Sequence, residues 1–130
     1  MARMGWREPN RARWVGIRPA HEGEQVAAYD FVVNGTKVIY TVPAGKTLYL
    51  CNVVGGLAAV EVGNARMTLR SGGVDYYNFA EYRVHSASGV TVPFGVSFPI
   101  PLEVPPGDTI ILYSSADNLI IIGSFFGWVQ

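Results

Sequence analysis

From Gln25 to the C-terminus, short runs of β-branched and aromatic residues alternate with clusters of Gly, Pro, Asn and Ser. Such runs are typical of strands, and such clusters are typical of the turns between them. No segment carries apolar residues at the helical period of about 3.6 residues, and at most one short helical turn is expected near residues 78–82. The sequence therefore predicts an all-β domain with strands at 30–33, 36–42, 47–54, 58–62, 65–70, 76–79, 83–86, 96–98, 109–114 and 119–129.

Two turn motifs refine this prediction. Asn34-Gly35 lies between two strand-like runs and tolerates the positive φ angles of a type I′ turn, so we expect a hairpin there. The nine residues at 42–50, VPAGKTLYL, resemble those at 104–112, VPPGDTIIL. Two stacked Greek keys would produce such a pseudo-repeat, although chance similarity of two turns is the alternative. We therefore expect a jelly-roll-like antiparallel β-sandwich.

The composition indicates that part of the surface is covered by partners. Only 15% of the 130 residues are charged and 49% are hydrophobic, whereas about 25% of residues are charged in an ordinary soluble domain. The runs at 38–42, 109–113 and 119–122 are apolar at both odd and even positions, so both faces of these strands need a cover. A neighbouring subunit is the simplest cover, and an apolar monomeric sandwich is the alternative.

The first 24 residues differ from the rest of the chain and are predicted to form an extended arm, separate from the sandwich domain at 25–130. Five arginines and one glutamate lie in the first 18 residues, which gives this end a net charge of about +4. Two tryptophans are interspersed among the arginines, which is unusual for a disordered tail. The arm residues expected to bind a partner are Arg3, Trp6, Arg7, Arg11, Arg13, Trp14, Ile17 and Arg18.

No constellation of residues indicates catalysis. Cys51 is the single cysteine and lies within a strand-like run, so we expect a buried, inert thiol. His21 and His85 lack the neighbouring ligands of a metal site, and the carboxylates show no glycosidase-like spacing. We therefore expect no enzyme activity, no cofactor and no metal.

The chain also shows neither a signal peptide nor a membrane-spanning run, so synthesis in the cytoplasm is expected, with no membrane partner.

Two surfaces are candidates for binding. In the arm, arginine and tryptophan suit an acidic protein surface, where both are frequent hot-spot anchors, or nucleic acid, where they meet phosphates and bases. Protein docking is favoured because five arginines neutralise little phosphate charge, and a solvated tail without function is the remaining alternative. A second candidate is the aromatic patch formed by Tyr76, Tyr77 and Tyr82, which could stack on a sugar ring or pack against the core.

Taken together, TVPAGKTLYL, IPLEVPPGDTIILYS and the closing IIIGSFFGWV resemble small jelly-roll virion proteins of tailed bacteriophages, of the head decoration or cement type. The resemblance covers roughly residues 25–130 and rests on turn and strand patterns. It implies a homotrimer on the capsid surface, with the major capsid protein and neighbouring copies of itself as partners. It also implies an extended N-terminal arm that grips these neighbours.

These observations lead to a main hypothesis and two alternatives. The main hypothesis is a non-enzymatic structural protein of the virion that decorates and stabilises the phage head, clamped by the arms of a trimer. The first alternative is a tail or fibre module that binds a host glycan through the three tyrosines. The second is a coat protein whose arm faces the genome, which the modest arm charge disfavours.

Overall fold

The computed structural model describes residues 23–86 and 89–130, and in these ranges the chain forms eight β-strands and no helix. Turns rich in Gly, Pro, Asn and Ser separate most of the strands, as the sequence predicts. The strands are β1 Glu24–Val33, β2 Gly35–Thr41, β3 Leu48–Ala59, β4 Gly63–Ser71, β5 Val74–Val84, β6 Val90–Val104, β7 Thr109–Ser114 and β8 Leu119–Val129. The all-β fold class is therefore confirmed.

The strands form two four-stranded antiparallel sheets. Sheet I has the order β1-β8-β3-β6, and sheet II has the order β2-β7-β4-β5. The first strand pairs with the eighth, the second with the seventh, the third with the sixth and the fourth with the fifth. The chain is thus one long antiparallel ribbon folded over into a sandwich, which is the jelly-roll arrangement expected from the sequence.

The core lies between the two sheets and follows the two-residue alternation of the strands. Along β8, buried residues alternate with partly or largely exposed ones over the whole strand. Leu48 and Ile121 of sheet I meet Met67 and Leu112 of sheet II in this core, and all four are fully buried. Each buried side chain of this size stabilises the fold by about 1.5–3 kcal/mol.

The two copies of the sequence repeat lie together at one corner of the sandwich. The turn at 42–47 carries the chain from β2 in sheet II to β3 in sheet I, and the turn at 105–108 carries it from β6 back to β7. The Val42 amide donates to the carbonyl of Asp108 at 3.0 Å, and the Gly107 amide donates to the carbonyl of Val42 at 2.9 Å. The repeat therefore marks the corner at which the folded ribbon crosses twice between the sheets.

Each of these corner turns depends on one glycine. Gly45 has a φ of 76° and Gly107 a φ of 85°, and a glycine adopts such angles without the steric cost that a Cβ would add. The Lys46 amide donates to Pro43 at 3.2 Å, and the Asp108 amide donates to Pro105 at 3.3 Å. Each turn is therefore closed by the same hydrogen bond around a left-handed glycine.

The hairpin expected at Asn34-Gly35 is wrong. The two flanking strands are present, but β1 belongs to sheet I and β2 to sheet II, so they pair with β8 and β7 instead of each other. Of the two turn residues, Asn34 has a positive φ, of 44°, and Gly35 does not. The Asn34 amide donates to the carbonyl of Ala116 at 3.2 Å. A turn motif predicts that the chain changes direction, and here this change of direction carries the chain from sheet I to sheet II.

Several strands are longer than the sequence predicts. β3 continues through Gly55-Gly56 to Ala59. β5 continues through residues 78–82, for which the sequence allows a short helical turn. Gly55 faces the interior, where an added Cβ would collide with the carbonyl oxygen of Ile122 and the ring of Phe94. Glycine here permits close approach of neighbouring strands rather than a turn, which the sequence pattern does not distinguish.

The corner account predicts a specific sensitivity at Gly107. Gly107→Ala places a Cβ on a residue with positive φ, and we expect the free energy of unfolding to fall by about 1 kcal/mol. No neighbouring atom lies within 4 Å of that Cβ, so backbone strain alone causes the effect. Gly35→Ala is the control, because Gly35 has no positive φ and a Cβ there would make one ordinary contact, with the carbonyl oxygen of Val33 at 3.8 Å. Equal losses for both variants in denaturant titrations would contradict the account.

Candidate functional site

The arm predicted as the main binding element lies outside the described residues, which begin at residue 23. Strand β1 starts at Glu24, one residue before the boundary that the sequence suggests. The following arm residues therefore keep the status of predictions: Arg3, Trp6, Arg7, Arg11, Arg13, Trp14, Ile17 and Arg18.

The three candidate glycan-binding tyrosines lie on β5, but two of them face the seam between the sheets. Tyr77 lies 6.3 Å from Phe98, and Tyr82 lies 6.2 Å from Phe94, measured between ring centroids. Both phenylalanines are on β6, so these rings close the gap between the edge strands of the two sheets. Tyr77 and Tyr82 thus pack at the seam, although Tyr77 remains 37% exposed, and Tyr76 is the ring set apart from it. Glycan binding by the three tyrosines stays a prediction.

Tyr76 is held by a hydrogen bond at the corner of the sandwich. Its hydroxyl donates to Oδ2 of Asp108 at 2.7 Å. Burial raises the pKa of Tyr76, and the hydrogen bond to Asp108 raises it further. Both residues line an open surface pocket of about 500 Å³, together with Val74, Glu103 and Pro105. The pocket therefore places two carboxylates beside apolar walls, and the carboxylate of Asp108 already accepts the hydrogen bond from Tyr76.

Cys51 is partly buried, whereas the sequence predicts a buried thiol. It lies where the β3 ladder shifts register, and its thiol donates to the carbonyl of Tyr49 at 3.7 Å. Burial raises the pKa of the Cys51 thiol, which disfavours the nucleophilic thiolate. Within residues 23–86 and 89–130, no three His, Cys, Asp or Glu side chains group as a metal site would need, and no helix there could cross a membrane.

The outer side of sheet I, called the apolar face below, is predominantly apolar, and its uncharged polar outward members are Gln25, Asn52, Thr91, Ser97 and Ser124. The register aligns the outward side chains in rows across four strands, for example Tyr29, Ser124 and Val54, or Phe31, Ile122 and Gly56. Glu103, at the corner end, is the single charged residue among these outward positions. The apolar members of the face are Ala27, Tyr29, Phe31, Val33, Tyr49, Val54, Ala58, Pro93, Ile120, Ile122, Phe126 and Trp128.

Several of these side chains are largely open to solvent in the single chain. Tyr29 is 68% exposed, Phe31 is 49% exposed and Ile122, at the centre of the face, is 38% exposed. Phe126 and Trp128 contact each other edge to face, with ring centroids 6.1 Å apart. A group of neighbouring exposed apolar side chains of this kind marks a binding surface more often than scattered exposed residues do.

The outer side of sheet II, called the charged face below, is built in the opposite way. Nε of Arg66 lies 2.9 Å from Oδ2 of Asp75, and Nε of Arg70 lies 2.7 Å from Oδ1 of the same carboxylate. The guanidinium of Arg66 also lies 4.3 Å above the ring of Tyr113. Ile111 points outward on this sheet and is nevertheless fully buried. Side chains of the same chain therefore cover the centre of this face, whereas Val38 on its edge strand β2 is 53% exposed.

The carboxylate of Asp75 is the centre of this cover. Burial acts to raise the pKa of Asp75, but the hydrogen bonds from Arg70 and Arg66 outweigh burial and hold the pKa below its ordinary value of 3.8. A carboxyl whose pKa is lower in the folded state stabilises the fold above its unfolded pKa. That stabilisation is lost as the pH falls through the folded value.

Asp75→Asn tests this arrangement. We expect the free energy of unfolding at pH 7 to fall by about 2 kcal/mol, because two charge-assisted hydrogen bonds are weakened. The decline of stability between pH 4 and lower values should also become shallower than in the wild type. The control is Asp30→Asn, which removes a more exposed ion pair with Lys37 and should have a smaller effect. Thermal melts across the pH series measure both, and equal effects of the two variants would contradict the arrangement.

Comparison with known proteins supports the fold. No protein-family model matches the chain, and no curated protein matches it in sequence. The fold is similar to two crystal structures of a pentameric capsid protein isolated from metagenomic phage sequences, each with a TM-score of 0.51 and 21% sequence identity. The alignments cover 80% of this chain but 66% and 59% of the two solved chains, so this chain spans less than two thirds of their length. The likeness shows a shared jelly-roll fold.

Proposed function

We propose that this chain is a structural protein of a bacteriophage particle and acts by binding other protein subunits, without catalysis. The observation that carries the proposal is the jelly-roll fold, which aligns over 80% of the chain with a phage capsid protein. The apolar face supports it further, because a protein that functions within an assembly has partners to cover such a surface. The location that follows is the capsid surface of the virion, after synthesis in the host cytoplasm.

The proposed mode of action is decoration and stabilisation of the head through the N-terminal arms. The arm carries five arginines and the two tryptophans Trp6 and Trp14, which suit acidic pockets on a capsid subunit. In a closed oligomer, each docked arm raises the effective concentration of the remaining arms. The sequence resemblance predicts a trimer, whereas the two solved proteins are pentameric, and either ring presents several arms.

A second candidate function is that of a coat protein that forms the shell itself. The description of the two solved proteins as capsid proteins favours this alternative. A coat protein would form shells or rings when produced alone and would be among the most abundant proteins of the particle. A decoration protein would bind only to preformed heads, so electron microscopy of the purified chain separates the two functions.

Removal of residues 1–20 tests the arm mechanism. Phage heads that lack the chain are mixed with full-length or truncated protein, and binding is measured by sedimentation with the heads. We expect the truncated protein to bind at least about tenfold more weakly, because the loss of several anchoring side chains removes several kcal/mol. Full affinity of the truncated protein would contradict the arm mechanism.

A matched pair of variants separates anchoring from charge. Trp6→Ala combined with Trp14→Ala keeps all arginines, and a variant with Lys at all five arm arginines keeps the positive charge and the tryptophans. If tryptophans fill pockets, the double alanine variant loses most of the affinity and the lysine variant loses less. Strong, salt-sensitive binding of the arm to nucleic acid would instead favour the coat protein with a genome-facing arm.

A further inference from the structure

We propose that the apolar face of sheet I is the contact surface for a second copy of this chain. The inference deepens the proposed structural role, because it assigns the contact between copies to particular residues. It uses only strands of the described domain and is independent of the arm. The inference rests on the outer surface of the four-stranded sheet I, which has one charged residue, Glu103, at its corner end.

The size of the face matches what an interface between subunits needs. Four strands spaced about 4.8 Å apart, with about ten residues each rising about 3.3 Å, give a surface of about 20 Å by 30 Å, or roughly 600 Å² before side-chain relief. A stable interface buries about 800 Å² on each partner. The apolar face alone therefore supplies most of the required area, whereas a peptide-sized ligand would leave much of it uncovered.

The relief of the face also suits a folded partner. Tyr29, Phe31 and Ile122 form a ridge over β1 and β8. Next to them, the outward positions Gly56 on β3 and Gly95 on β6 carry no side chain, and a Cβ there would meet its nearest neighbours at ordinary contact distances of 3.5 and 3.7 Å. A second copy presents the same combination, so the large side chains of one copy can pack against the glycine positions of another.

Charge argues for a second copy over other occupants. The arm carries five arginines, and the apolar face offers them one carboxylate, Glu103, at its end. An arm laid along the face would therefore leave most of its arginines without a partner, at a cost for each one removed from water. The same face of another copy is equally poor in charge and brings only Glu103, at its corner end, to the contact.

The charged face of sheet II offers a natural contrast. Its principal ionic groups, Arg66, Arg70 and Asp75, are paired within the chain, and Ile111 is already covered. Sheet I has no comparable cover among the described residues. The centre of sheet II is therefore covered by folding, and in the proposed contact the outer side of sheet I is covered by association. The two solved capsid proteins with this fold are themselves pentameric, which is consistent with association of jelly rolls of this type.

The test compares lysine substitutions on the two sides of the sandwich in the full chain. Ile122→Lys places a charge at the centre of the apolar face, and Tyr29→Lys does so at a more exposed position with less risk to folding. The control is Val38→Lys, because Val38 is 53% exposed and lies on the outer side of sheet II. Light scattering and native mass spectrometry give the mass of each assembly relative to the 14.1 kDa chain.

The expected result is a wild-type oligomer that Val38→Lys preserves and that both apolar-face variants weaken at least about tenfold, with unchanged circular dichroism. A wild-type monomer, or an oligomer that both variants leave intact, would overturn the inference. Because Tyr29 is largely exposed, its variant remains informative even if Ile122→Lys does not fold. Head binding is a separate readout, so arm-dependent decoration can stand even if the apolar face is not the contact.

Discussion

The core shared by the two sheets is the constraint on which the rest of this structure depends. A strand alternates its side chains strictly between two sides, so each residue committed to the core sends its neighbour outward. In β8, Ile121 and Phe125 enter the core while Ile122 and Phe126 point away from it. Both sets are apolar, so folding of the single chain buries the side chains on one side of sheet I and leaves those on the other side on the surface.

The two sheets differ in how their outward apolar side chains are covered. On sheet II, outward Ile111 is buried within the chain, on a face where Arg66 and Arg70 share the carboxylate of Asp75. On sheet I, no equivalent polar cover exists in the described residues, and the side chains around Ile122 remain open. The centre of sheet II is thus covered within the chain, whereas apolar side chains of sheet I are exposed in the single chain. The proposed structural role in an assembly would give these side chains a partner to cover them.

Much of the fold could be predicted from the sequence, and the failures have physical causes. β7 and β8 have the predicted bounds, because Gly, Pro, Asn and Ser residues punctuate their ends. Asn34-Gly35 was misjudged because a turn motif does not say which sheet the next strand joins. The apolar runs at 119–122 and 38–42 each place an exposed residue on an outer side, Ile122 and Val38, whereas the run at 109–113 lies under distant residues such as Arg66, which no local pattern reveals. Coverage of these runs by a neighbouring subunit stays a prediction. The arm residues remain predictions.

The most direct test of the central claim is an experimental structure of the assembled protein, by cryo-electron microscopy or crystallography. If the apolar face is the contact between copies, Ile122, Phe31 and the rest of this face will be buried between subunits, while the Arg66–Asp75–Arg70 cluster will face solvent. The contrary result would be an assembly in which the apolar face stays open to solvent and the subunits meet through the charged face. That result would mean that the uncovered side of sheet I does not drive association.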